Sequence, residues 1–276
     1  MKADKPRPLD MIERAHLKTP GDTSHTVFRY DPPGTLTPLV RRFWIPVWSV
    51  PAGKEAVQRV LRYPVALIVI SDTYARFYGV DRGLSTTTLT GAGWAVGAML
   101  QPAGGERVAG ASMVAWRDRF TDLSEILPEI GPPLTRRVRA VMGTNPEEPA
   151  NHHRAMTALS DALAPYCTGL SDRLINDVVA YIENDAGVIR VAQVCEKFGV
   201  SERQLQRLTR RTIGLSPKWI IQRRRLQEAA EHLRGPRRPL ADVAADLGYA
   251  DQAHFIHDFR AVTGMTPGDF AARFGD

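Results

Sequence analysis

The amino-acid sequence predicts an α+β protein of two domains, a mostly-β N-terminal domain with trailing helices followed by an all-α C-terminal domain. Three observations carry this expectation. Apolar and aromatic runs bounded by turn residues fill residues 26–120, the pattern of short strands. From about Asp122 the apolar residues switch to helical spacing. The last hundred residues contain a repeat of about 50 residues, each copy punctuated by Gly and Pro where helices end and begin.

The first strand candidate is Leu39–Trp48, rich in aromatics and interrupted by Pro46. Tyr63–Ile70 and Tyr74–Val80 follow around the turn Ser71-Asp72-Thr73, then the Thr-rich Leu84–Thr90, then Val96–Leu100 before the turn at Gln101–Gly105. Helices are expected at Asp122–Ile130, Pro133–Met142, about Pro146–Tyr166 and Ser171–Asn184. The expected division is an arm at 1–25, a β domain at 26–130, a helical linker or dimerisation region at 131–170, and the all-α domain at 171–276.

Composition excludes several classes. The 276 residues are 43% hydrophobic and 24% charged, too apolar for a disordered chain. The longest aliphatic run, Val65–Ile70, is far shorter than the roughly 20 residues of a membrane span, so no membrane partner is expected. The start, Met1 to Pro8, lacks the apolar stretch of a secretory signal. Two cysteines, Cys167 and Cys195, make neither a disulfide framework nor a four-cysteine zinc site, which fits a reducing cytoplasm. The net charge of +6 is unevenly spread: residues 201–240 hold 11 Arg/Lys against 3 acids, and 241–276 hold 2 against 6. Such a basic run is either a solvated face or a site for an anionic partner.

In the first copy of the repeat, Val194–Val200 leads through Leu205 and Thr209-Arg210 to Gly214-Leu215-Ser216-Pro217. The second runs Val243–Tyr249, Phe255, Phe259-Arg260, Gly264-Met265-Thr266-Pro267. Each reads as a helix stopped by a glycine (Gly199, Gly248), a second helix stopped by another (Gly214, Gly264), and a third opened by a hydroxyl N-cap and Pro. Ser201 with Gln204 makes a capping box, and Asp251 is the expected N-cap of the matching helix. Helix, glycine turn, helix is the helix-turn-helix arrangement, whose second helix enters the DNA major groove. The two units fall at about 189–213 and 240–263, joined by one helix over 216–234. At 1.5 Å per residue that connector spans about 28 Å, close to the roughly 34 Å between successive major-groove faces.

On the wheel of residues 201–213, Leu205, Leu208 and Thr212 take one side while Arg203, Gln206, Arg207 and Arg210 form an i, i+3, i+4, i+7 stripe on the other. Arg and Gln make bidentate contacts with guanine and adenine edges. The equivalent stripe in the second copy is Ala253, Ile256, His257 and Arg260, with Gln252 and His254 beside it, and is less cationic. Arg223-Arg224-Arg225, with Arg234, Arg237 and Arg238 beyond, suits phosphate contacts or a wet surface.

Taken together, Arg225-Leu226-x-x-Ala229, Gly248-Tyr249, Phe255, Phe259-Arg260, Gly264 and Thr266-Pro267 resemble the DNA-binding domain of the AraC/XylS family of bacterial transcription regulators over about 171–276. The resemblance implies base contacts from Arg203, Gln206 and Arg207 in the first reading helix and from Gln252, His254 and His257 in the second. Phosphate contacts are expected from Arg210, Arg223, Arg224 and Arg260. It implies a double-stranded operator as partner, with RNA polymerase and a second copy of the chain as further partners. Thr209 stands where the family usually has Phe, His257 where Arg is frequent, and Cys195 where Ala is favoured, which points to packing and not to redox sensing.

Residues 26–130 are similar to a cupin-like domain of unknown function found ahead of such DNA-binding domains. The carriers are Tyr63-Pro64-Val65, Gly93–Gly104 and Phe120-Thr121-Asp122-Leu123. A metal cupin needs clustered His and Glu on its sheet; His16, His25, His152 and His153 all fall outside 26–120, so no metal or cofactor is expected. Trp44, Trp48, Tyr63, Trp94 and Trp116 are candidates for a small-molecule pocket or for plain core. Ala155, Leu159 and Leu163 either pair subunits or pack on their own domain.

The expected function is therefore a sequence-specific regulator of transcription whose N-terminal domain senses a small molecule or dimerises. The alternatives are an N-terminal protein-interaction module with no ligand, or an enzyme fused to a DNA reader. No nucleophile–base pair, paired carboxylates or phosphate loop supports an enzyme. A DNA-repair methyltransferase would need more cysteines than the two present.

Overall fold

In the computed structural model, which describes residues 16–17, 21–61, 63–168, 173–236 and 238–275, two β-sheets precede a helical C-terminal half. Most of the expected arm, Ser171 and Arg237 lie outside the described residues. The strands are β1 His25–Tyr30, β2 Val40–Ser49, β3 Ala56–Val60, β4 Leu67–Ser71, β5 Ala75–Tyr78, β6 Ser85–Leu89, β7 Ala92–Leu100 and β8 Phe120–Asp122. Six of them form one antiparallel sheet in the order β1-β2-β7-β4-β5-β8, and β3 pairs with β6 separately.

Strand β2 explains the layering. Its odd residues Phe43, Ile45 and Val47 are buried in the main core with Ile68, Ile70, Val96 and Ala98 from β4 and β7. Its even residues Arg42, Trp44, Pro46 and Trp48 line a cavity on the opposite face. Side-chain alternation along a strand thus sends one set to the core and the other to the cavity. Pro46 sits inside β2 opposite Val27 of β1; on the other side the pairing with β7 skips Ile45 and Pro46 and resumes in the same register at Val47.

Helices α1 Gly104–Ala109, α2 Leu123–Ile126, α3 Gly131–Met142 and α4 Pro149–Leu163 follow, with a 3-10 turn at Met113–Trp116. Helix α1 and strands β1 and β3 were not among the expected elements: α1 is hidden in a Gly-rich stretch that reads as turn, and β3 is a five-residue run of mixed polarity. Leu134, Val138 and Met142 of α3 and Ala155, Leu159 and Leu163 of α4 are buried against the sheet. The apolar face of α4 therefore packs on its own domain, the second of the two readings open for those three residues. Burying them removes apolar area worth about 1.5–3 kcal/mol per large side chain.

The C-terminal half comprises α5 Arg173–Asn184, α6 Val191–Phe198, α7 Glu202–Thr212, α8 Pro217–Arg234, α9 Leu240–Asp246, α10 Gln252–Thr263 and α11 Pro267–Phe274. The caps are made as the spacing requires. Gln204 N donates to Ser201 Oγ (3.3 Å) and Ser201 N to Gln204 Oε1 (2.8 Å); His254 N donates to Asp251 Oδ1 (2.7 Å). Gly199 and Gly248 take φ of 63° and 72°, the left-handed region that turns the chain into each second helix. Two apolar cores result, one around Val194, Leu205 and Ile220, the other around Leu226, Val243, Phe255, Phe259 and Phe270.

Candidate nucleic-acid interface and the cavity above it

Helix α7 buries Leu205, Thr209 and Thr212 and leaves Arg203, Gln206, Arg207 and Arg210 exposed. The amphipathic split is therefore real, and Thr209, standing where Phe is usual, is buried with its hydroxyl donating to Gln206 O (3.3 Å). One acid borders the stripe: Gln206 Nε2 donates to Glu202 Oε1 at 2.9 Å. The far end of α7 rests on the N-terminal half. Arg211 Nε meets Glu106 Oε1 at 2.9 Å, and a Cβ on Gly214 would lie 2.7 Å from Met113 O.

Helix α10 exposes Gln252, Ala253, His254, His257 and Arg260, with Ile256 half-buried among them. Asp258 lies between the two histidines, 3.5 Å from His254 Nε2 and 3.6 Å from His257 Nδ1. His254 also packs edge-on against Tyr249 at 5.2 Å. Burial, aided by the Asp258 charge and opposed by Arg225, pushes the Tyr249 phenol up to about 12. This face carries a single arginine, and Asp258 beside it partly cancels the charge.

The connector corrects one expectation. Arg223 and Arg224, expected on phosphate, are 1% and 2% exposed. Arg224 reaches both oxygens of Glu228 (2.6 and 2.7 Å) and donates to the carbonyls of Ala186 (3.2 Å) and Val188 (2.9 Å). Arg223 lies over the Trp219 ring at 5.5 Å and donates to Gly83 O at 3.4 Å. Burial draws its pKa down to about 10, with Asp81 opposing. Arg225 covers the Tyr249 ring at 3.8 Å and donates to Leu247 O at 2.7 Å. All three bind carbonyls, a carboxylate or aromatic faces and so hold the helices together, and burial keeps Arg223 and Arg224 from phosphate. A run of arginines reads the same in sequence whether it faces water or spans a core.

Cys195 is half-buried, and burial together with Glu202 pushes its thiol up, which disfavours thiolate chemistry.

The cavity of about 440 Å³ lies between the six-stranded sheet and the β3–β6 pair. Trp44, Trp48 and Tyr63 line it as expected. Trp94 and Trp116 do not: Trp94 is 6% exposed in the main core, and Trp116 packs edge-on against Phe77 at 5.9 Å. Trp94 pairs with Val47, an odd residue of β2, which is why it points away from the cavity. Sequence reasoning missed Arg42, His16, His25 and Gln58 in the lining. The period-2 set Arg42-Trp44-Pro46-Trp48 was the signal for the first. His25 does open β1 and His16 bridges Val60, so the expectation that no histidine joins the strands is corrected. At that end His16 Nε2 and Gln58 Oε1 are 3.0 Å apart and Gln58 Nε2 donates to Asp22 Oδ2 at 2.9 Å. Burial works against the Asp22 carboxylate, yet hydrogen bonds from Ser24 and Gln58 and the nearby His25 hold its pKa at about 2.

The cavity wall continues into the helical half. Leu61, between the lining residues Val60 and Tyr63, is fully buried in the second helical core with Leu226, Ala230 and Phe270, and accepts from Gln227 Nε2 at 3.1 Å. Leu17, next to His16, enters the same core. Arg41 lies over the Tyr63 ring at 4.5 Å and pairs with Glu183 of α5 at 2.8 Å. Burial pushes the Glu183 carboxyl up although Arg41 opposes this.

Two glycine-turned helix pairs on one rigid connector, with an arginine-rich outer stripe on the first, define a double helix-turn-helix DNA-binding protein. Residues 194–273 match the model of a helix-turn-helix domain family, and residues 28–122 match a domain of unknown function, DUF6597. The chain is 35% identical over 102 residues to the regulatory protein SoxS of Escherichia coli K12, covering 37% of this chain and 95% of SoxS. It is 36% identical over 84 residues to the transcriptional activator RhaR of Yersinia pseudotuberculosis, covering 30% of this chain and 29% of RhaR. An AraC-like transcription regulator of Streptomyces antibioticus is 30% identical over 111 residues, 40% of this chain and 37% of that protein. The chain belongs to the AraC/XylS family of transcription regulators and is a DNA-binding regulator of that type. Among the described residues no helix is long and apolar enough to cross a membrane.

Proposed function

We propose that this chain is an effector-responsive regulator in which α7 anchors the operator, α10 refines the contact, and the cavity of the N-terminal domain binds the effector. Arg203, Gln206 and Arg207 read base edges with Arg210 on phosphate; Gln252, His254 and His257 read the second segment with Arg260 on phosphate. The working division is a sensor over 26–130, helices over 131–170 and a DNA-binding domain over 171–276. The protein works without catalysis in the cytoplasm, with RNA polymerase and a second copy of itself as partners.

One observation carries the sensing part: Val60, which lines the cavity, is followed directly by Leu61, which is seated in the core of the second reader. A ligand that moves Val60 acts on the packing of α8 and α11 through one peptide bond and the Leu61 side chain. Such coupling is limited by the ligand's differential affinity for the two arrangements. The polar groups at the histidine end bond to one another, which supports a structural role for them over a catalytic one.

The test is a thermal-shift screen of a small-molecule library on the full chain, with hits carried into footprinting of its operator. Hits that change operator affinity, and lose that effect in Leu61→Ala, support the sensor. Hits absent, or hits with no effect on the footprint, favour the N-terminal domain as a protein-interaction module.

A further inference from the structure

Resting on the sensor reading, we infer that the cavity takes a flat, fused-ring aromatic molecule, recognised by stacking on Trp44 and Trp48. Both tryptophans stand opposite glycines of β7: Trp44 pairs with Gly97 and Trp48 with Gly93. A Cβ on residue 97 would collide with Cε2, Cζ2 and Cη2 of Trp44, three consecutive ring atoms at nearly equal distances. An approach to the ring edge would make one of them clearly nearest, so the benzo ring covers Gly97 with its face. At Gly93 the same construction meets Cζ2 of Trp48 at 2.5 Å, Cε2 at 2.7 Å and Asp72 Oδ2 at 2.9 Å. Both indoles therefore fill space that any other residue at 93 or 97 would occupy, and Trp44 lies face-on against the sheet.

Between them on the same side of β2 is Pro46, another flat apolar surface. Four residues at about 3.3 Å each make this floor about 13 Å long, the length of a two- to three-ring system. The opposite wall, from β3 and β6, is of a different kind: Val60 and Leu89 beside the hydroxyls of Ser85, Thr87 and Thr88. A cavity built only for apolar volume has no use for two Trp–Gly pairs in register. What this pairing provides is ring face, which a planar π-system uses fully and a puckered or flexible molecule uses in part. Hydroxyls across the slot then serve oxygen or nitrogen groups on the ring.

Isothermal titration of the full chain with 2-naphthol and with decahydro-2-naphthol, which has the same skeleton and hydroxyl but no aromatic face, tests this inference. The expected result is at least tenfold tighter binding of 2-naphthol, reduced at least fivefold by Trp44→Leu and by Gly97→Ala, which displaces the indole. Near-UV circular dichroism and melting of each variant show whether it is folded; if Gly97→Ala is not, Trp48→Leu takes its place. Equal affinity for the two naphthols, or tighter binding of xylose or decanoate run in parallel, overturns the aromatic class and leaves the sensor reading standing. No binding of any of the four at millimolar concentration also overturns it. The sensor reading itself falls only if the library screen yields no effector that changes operator affinity.

Discussion

The two helix-turn-helix units share a fold and differ in what they show to solvent. Helix α7 presents Arg203, Arg207 and Arg210 with a single bordering acid, Glu202. Helix α10 presents Ala253, Ile256 and His257 with one arginine, and Asp258 sits between its histidines. The difference extends to what lies behind them. The first unit leans its far end on the 3-10 turn at Met113–Trp116 and takes Val80 and Ala103 of the N-terminal half into its core, whereas the second takes Leu61 and Leu17, each next in sequence to a residue that lines the cavity. The comparison supports the proposed division of one repeated motif into a charged anchor and a weakly charged unit whose core holds neighbours of the cavity lining. Of the eleven cations in 201–240, Arg223, Arg224 and Arg225 serve packing, so the outward charge is more concentrated on α7 than the sequence alone indicates.

The largest effect expected from this division is on stability. Arg224→Ala strands the Glu228 carboxylate and the Ala186 and Val188 carbonyls, and is expected to cost about 3–5 kcal/mol in denaturant unfolding. The salt slope of DNA binding should stay as in the parent; a shallower slope would put Arg224 back on phosphate. Leu61→Ala empties a fully buried site and is expected to cost about 2–4 kcal/mol. Its destabilisation should fall on the second unit, read as faster amide exchange in α8, α10 and α11 than in α6 and α7. Uniform exchange across both units would remove the distinction between them.

Smaller effects sharpen it. Asp258→Asn relieves the acid between His254 and His257, and operator affinity at low salt should rise about two- to threefold; a fall would show that Asp258 orders α10. Asp22 tests the cavity end. Its folded pKa of about 2 lies below the ordinary 3.8, so its carboxylate contributes stability that is fully present above about pH 4 and lost as pH falls towards 2. Asp22→Asn should remove that part of the acid limb. An acid limb with the parent's shape would show that the Ser24 and Gln58 bonds hold nothing in place.

Much of this architecture was legible in the sequence because local signals agreed. Ser201 with Gln204, Asp251, Ser216 and Thr266 cap their helices through side-chain bonds that a sequence pattern names directly. Leu205 and the exposed arginines of α7 separate at 3.6-residue spacing for the same reason. What was not legible depends on contacts distant in the chain. Arg223 and Arg224 are buried only because Gly83, Ala186 and Val188 bring carbonyls to them. Trp94 and Trp116 could not be told from Trp44 and Trp48 without the register that sets the face of each strand. The Trp–Gly pairs were visible as equal four-residue spacings on two strands, but only the antiparallel pairing of β2 with β7 gives that coincidence a meaning.

The unequal readers are tested most directly by one footprinting titration in which Arg207→Ala and His257→Ala are compared on the same operator at the same salt. Loss of a bidentate base contact costs about 1–3 kcal/mol, so Arg207→Ala is expected to weaken specific binding roughly ten- to a hundredfold, and Arg203→Ala somewhat less. His257→Ala is expected to stay within about threefold of the parent. Equal losses at the two positions, or a larger loss at His257, would contradict the first helix as anchor.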